Sequence, residues 1–146
     1  MKKINIFLDS SALIAGIFSE TGAAHVLLQL GETQDIALTI SELVLNETKR
    51  SIGRKRPEHL ENAEQEIQKS NIKVLQDPSH KEIQANLYLM DDPDDVPILL
   101  AAIKAKVDYL ATHDHKHFLD DPKVAERAGV KIGTPGDVLA WLRENL

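Results

Sequence analysis

Four acidic residues stand where short apolar stretches stop: Asp9 after residues 4–8, Glu47 beyond Ser41, Asp95 at the end of the acidic run 91–95, and Asp114 just past residues 109–112. Carboxylates gathered by folding repel one another at neutral pH unless positive charge lies between them. With no cysteine in the chain, an all-oxygen cage of this kind suits a hard divalent cation, Mg2+ or Mn2+. Such an ion polarises a phosphoryl group and lowers the pKa of bound water, so the expected chemistry is hydrolysis of a phosphodiester.

Each acid also has a plainer reading. Asp9 is either a ligand or a helix cap; Ser10 and Ser11 offer capping side chains of their own, which favours the ligand role. Glu47 lies about 9 Å along a helix begun at Ser41 and shares a face with Leu43 and Val44, so it looks inward and needs a partner. The alternative is an exposed pair with Arg50. Most of the run 91–95 suits a solvated helix start, but Asp95 precedes Leu99 and Ala102 on the buried stripe, with Asp94 as the cap and closest competitor. Asp114 follows Thr112, a hydroxyl placed to bond a carboxylate or a water; its bland role is a turn. His113, His115 and His117 read as surface imidazoles, with ligation of a softer metal the lesser alternative.

Strands are expected at residues 4–8, 36–40, 72–75, 109–112 and 130–132. Helices are expected from Ser10 or Ser11 to Phe18, from Gly22 to a stop at Gly31, and from Glu42 to a stop at Gly53. Others follow at 57–70, at 79–89 with Ser79 as cap, at 96–107, and from Thr134 through Trp141. Trp141, Leu139 and Leu142 suit the core better than a homodimer contact. Apolar strands alternating with helices imply a parallel sheet covered on both faces, with ligands beyond the carboxyl ends of its strands.

The 146 residues, 42% hydrophobic, fit a single domain over 1–146, and no stretch is long and apolar enough to span a bilayer. Zero cysteines fit a reducing cytoplasm. A net charge of −6 argues against a protein that coats nucleic acid, but not against an enzyme with a local basic strip. Lys49, Arg50, Arg54, Lys55 and Arg56 form such a strip, readable as substrate contacts or as a solvated helix end.

In order and spacing, Phe7-Leu8-Asp9-Ser10-Ser11, Ser41 through Glu47, Asp95 with Ile98-Leu99-Leu100-Ala101-Ala102, and Tyr109-Leu110-Ala111-Thr112-His113-Asp114 with His117-Phe118 resemble the PIN domain family. The resemblance implies an α/β fold, a three-layer α/β/α sandwich with a central parallel sheet of four to five strands. It implies a Mg2+- or Mn2+-dependent ribonuclease with Asp9, Glu47, Asp95 and Asp114 as catalytic metal ligands and Ser10 and Thr112 as supporting hydroxyls. VapC-like members are toxins of toxin–antitoxin pairs and often dimerise, so the resemblance adds RNA, an antitoxin and a second copy as expected partners. Residues 56–70 depart from it, a longer polar helical stretch than compact toxins carry. Two rival readings are a catalytically silent RNA-binding or scaffold module, and a phosphatase with Asp9 as nucleophile. The latter wants a second Asp where Ser11 stands.

Overall fold

The computed structural model describes residues 2–146. Five strands, β1 (Asn5–Leu8), β2 (Ala37–Ser41), β3 (Lys73–Leu75), β4 (Tyr109–Ala111) and β5 (Lys131–Gly133), form one sheet in the order β3-β2-β1-β4-β5. Every pairing is parallel. Ile6, Phe7 and Leu8 are all buried, which explains why β1 reads as an apolar run and not as a period-two pattern.

The helices are α1 (Ser10–Phe18), α2 (Ala23–Glu32), α3 (Glu42–Lys55), α4 (Leu60–Lys69), α5 (His80–Ala85), α6 (Val96–Lys104), α7 (Pro122–Ala128) and α8 (Pro135–Asn145). The steps from β1 to β2 to β3 run one way across the sheet, and those from β3 to β4 to β5 run the other. Right-handed crossovers therefore set α1 to α4 on one face and α5 to α7 on the opposite face, completing the expected three layers. The last helix, α8, returns against α2. Ile98 through Ala102 of α6 are all buried, as its apolar sequence implies.

Several local expectations change. Gly31 does not stop a helix; it sits inside α2, where an added Cβ would come within 2.6 Å of the Ser70 carbonyl oxygen. Gly53 likewise lies within α3, which runs on to Lys55. The helix expected over 79–89 ends at Ala85, although Ser79 does cap it, in a box with Glu82. Unforeseen is α7, which the sequence signals with Asp121 as cap, Pro122 at the first turn, and Gly129 at φ 67° after its end. Trp141 packs on Tyr109, ring centroids 5.5 Å apart, and Leu142 is buried, in keeping with a core role.

Candidate metal centre

Strand register assembles the site. Leu8 pairs with Ala111, and the ladder continues one residue further, with Asp9 N donating to Ala111 O at 3.2 Å. Asp9 and Thr112 therefore leave the sheet side by side, between the two central strands whose outgoing connections diverge. Asp9 is 5% exposed and caps α1 itself, accepting from Ala12 N at 3.0 Å. The cap is thus neither Ser10 nor Ser11, because the chain turns immediately after the strand. Ser11 Oγ donates to the same carboxylate at 2.7 Å, and Thr112 Oγ1 donates to its second oxygen. Burial pushes the Asp9 carboxyl up, against the pull of these hydrogen bonds, and the charge of Asp114 adds to the rise.

Glu47 reaches the same edge from α3. Ser41 Oγ accepts from Val44 N at 3.3 Å, and Leu43 N donates to Asp77 Oδ1 at 2.9 Å, which fixes the start of that helix. Glu47 is half-buried and accepts from Ser10 Oγ at 3.1 Å; it does not pair with Arg50.

On the far side, Asp114 Oδ1 accepts from His117 N at 3.0 Å, opening a π-helical turn over His115–Leu119. Asp114 N donates to Thr112 Oγ1 at 2.9 Å, so one hydroxyl links Asp9 to Asp114. His117 Nδ1 lies 3.1 Å from Asp114 Oδ2 and 3.2 Å from Asp95 Oδ2. Asp95 closes a 3-10 turn over Pro93–Asp95 just before α6, so it stands at the helix entrance and not on its buried stripe. Asp94 is exposed and caps nothing; Asp92 caps that turn by accepting from Asp94 N at 2.9 Å.

Glu47, Ser10, Asp9, Thr112, Asp114, His117 and Asp95 thus form a nearly continuous series of contacts along one sheet edge, broken only by the step along the chain from Ser10 to Asp9. The side chain of Asp95 is 15% exposed, and its Oδ2, although near His117, is a buried atom with no hydrogen-bond donor. Burial raises its carboxyl to about 6, with Asp92, Asp114 and Asp94 adding to the rise and His117 opposing it. A buried carboxylate oxygen without a donor fits a cation partner. Among the described residues, Asp92, Asp95 and His117 each offer a candidate ligand atom within 4.8 Å of the others. Of these, Asp92 is unexpected and His117 was expected only as the lesser alternative of a softer-metal ligand; the i,i+3 spacing of Asp92 to Asp95 and of Asp114 to His117 is the signal that points to them.

The expected substrate cations divide. Arg50 and Arg54 line a depression of about 300 Å3 together with Ser10, Ser11 and Glu47. Lys49 faces α4 instead, 3.4 Å from Glu64, because it lies round the helix from Arg50.

Among the described residues no single helix is long and apolar enough to cross a membrane. No curated protein matches the chain. Similar folds occur in a crystal structure of VapBC2 from Rickettsia felis bound to a DNA fragment from their promoter, with TM-score 0.61, 18% identity, and 90% of this chain and 98% of that one covered. PAE2754 from Pyrobaculum aerophilum is comparably similar, with TM-score 0.62, 18% identity, and 97% and 96% covered. The family model of the PIN domain matches residues 5–116, a span that holds β1 to β4 and every acid of the cluster, so this chain belongs to the PIN domain family.

Proposed function

We propose that this chain is a divalent-metal-dependent ribonuclease, with Asp9, Glu47, Asp95 and Asp114 as its metal-binding and catalytic carboxylates. The observation that carries the reading is the buried Asp95 oxygen without a donor, set among further acids on the edge where Asp9 and Asp114 meet. A bound Mg2+ or Mn2+ would supply Lewis acidity toward the phosphoryl group and a lowered pKa for water. The chain's own part is to hold and orient: Thr112 and Ser11 fix the Asp9 carboxylate, Ser10 fixes Glu47, and Arg50 and Arg54 offer cations for the RNA backbone. His117 and Asp92 join the site as polar neighbours able to ligate or to hold water.

The test is a ladder of labelled single-stranded RNAs incubated with Mn2+ or with EDTA. Cleavage in Mn2+, stopped by EDTA and lost about a thousand-fold in Asp9→Asn, is expected. Unchanged turnover in that variant would falsify the assignment.

One observation favours the second reading, a silent RNA-binding module. His117 already stands between Asp114 and Asp95, so its ring nitrogen takes the partner position that a cation would otherwise fill. Metal binding without cleavage of any RNA on the ladder decides for the module. The likeness to a VapBC2 complex also supports an antitoxin protein as partner, with promoter DNA held chiefly by that partner, since this chain carries a charge of −6. A homodimer in a reducing cytoplasm completes the proposal.

A further inference from the structure

The depression beside Ser10 and Glu47 does not end there. Ile14 and Ser51 line it and also line a second depression, of about 330 Å3, whose far wall holds Phe18, Lys55 and Arg56. The two make one furrow between α1 and α3, and from Ser10 to Phe18 it runs about 12 Å along the helix axis. At its far end Phe18 is 39% exposed, with the Arg56 guanidinium 5.7 Å from its ring centroid. The His59 ring stands edge-on to Phe18, centroids 5.5 Å apart. Along the α3 wall, Arg50, Arg54, Lys55 and Arg56 form no ion pair among the described residues, in a chain whose net charge is −6.

Unpaired cations in a line, ending at an aromatic ring with a guanidinium over it, match a polyanion that also carries flat, stackable groups. Single-stranded RNA has both features. A duplex keeps its bases stacked on each other and offers none to Phe18. A docked protein helix asks for an apolar stripe at i, i+3 and i+4, whereas this furrow, though it holds Ile14 and Phe18, is rimmed by Arg50, Arg54, Lys55 and Arg56, a row of cations that suits a phosphate chain better.

We infer that the furrow between α1 and α3 is a subsite for single-stranded RNA, in which Phe18 with Arg56 stacks one base and Arg50, Arg54 and Lys55 follow the phosphates toward the acidic cluster. The inference rests on the ribonuclease reading and extends it, assigning a base-binding position some nucleotides away from the cut.

The test is fluorescence anisotropy with a labelled single-stranded oligouridylate and the Asp9→Asn chain in Mg2+, so that binding is read without cleavage. Phe18→Leu and Arg56→Gln are each expected to weaken binding about ten-fold. Arg54→Gln should lower the salt dependence by about 0.7 in slope, as loss of one phosphate-directed cation predicts, while Phe18→Leu leaves the slope alone. An oligonucleotide lacking the stacked base should bind about ten-fold more weakly to the Phe18 chain and no more weakly to Phe18→Leu. Affinities unchanged from the Phe18, Arg56 chain in both Phe18→Leu and Arg56→Gln overturn the inference and leave the furrow to a protein segment or to solvent. Arg56 is exposed, so its variant remains informative if Phe18→Leu does not fold. The two readings fail separately: RNA cleavage by the wild-type chain together with unaltered binding in both variants removes the furrow alone, and no binding or cleavage removes both.

Discussion

The two ends of the sheet treat their acids differently. At the amino end, Asp108 Oδ2 accepts from Asn5 N at 2.8 Å, and Lys2, Lys3, Lys73 and Lys106 line the pocket of about 500 Å3 in which it lies. At the carboxyl end, Asp9, Asp95 and Asp114 crowd together, with His117 as the one side chain in ion-pair range of Asp95 or Asp114 among the described residues. Asp108, Asp9 and Asp114 all lie next to a parallel strand, so position alone does not distinguish them. The difference lies in compensation, which is ample at one end and short at the other. A deficit of that kind is what a bound cation would relieve.

The sharpest way to break the contrast is to neutralise one acid at each end. Asp95→Asn should reduce Mn2+-stimulated RNA cleavage about a thousand-fold, yet raise the Tm of the metal-free chain at pH 8 by a few degrees, since a carboxyl held near 6 is charged there at a cost. Asp108→Asn should leave cleavage alone and lower Tm by about 2–4 °C, since removing the charge weakens the charge-assisted hydrogen bond from Asn5 N by about 1 kcal/mol. Equal stability changes of one sign would erase the distinction. Next in size, Mn2+ at a hundred times its Kd should stabilise the wild-type chain by about 2.7 kcal/mol in calorimetry, and the gain should vanish in Asp9→Asn but persist in Asp108→Asn.

A smaller effect belongs to Thr112→Val, which removes the hydroxyl that donates to Asp9 and accepts from Asp114 N. Steady-state cleavage and metal titration should fall about ten- to a hundred-fold. The smallest is the pH dependence. Asp95 holds its proton up to about 6 in the folded chain, while an unfolded Asp loses it near its ordinary 3.8. The folded state binds more protons between those values, so metal-free stability should fall as pH rises from about 4 to 6 and level off above, measured by urea denaturation. Metal affinity should move oppositely, rising by up to ten-fold per pH unit below about 6 and flattening beyond.

The sheet was readable because five apolar runs, each ending at a turn or a polar residue, have little else to be in a chain of this size. Asp9 and Asp114 stood out as candidates because each follows such a run, whereas Glu47 lies inside α3 and Asp95 in the turn before α6. What spacing could not reveal was how they are shared among neighbours. Asp9 proved to be both cap and candidate ligand, with one oxygen turned to Ala12 N and the other to Thr112, a division of labour set by strand register and invisible in one dimension. Asp92 hid in an acidic run whose ordinary meaning is a wet loop. His117 was one of three alternating imidazoles, and only the π-helical turn, closed by Asp114, aims it alone at Asp95; His115 points away to Asp120 at 3.4 Å. The turn itself has no residue pattern that announces it.

The bond between Thr112 and Asp9 joins residues 103 positions apart. Most of the polypeptide must therefore be made, and its central strands paired, before the cluster exists at all. A growing chain still lacking β4 has Asp9 but nothing to set beside it. Built this way, the chain acquires its acidic cluster only as folding nears completion.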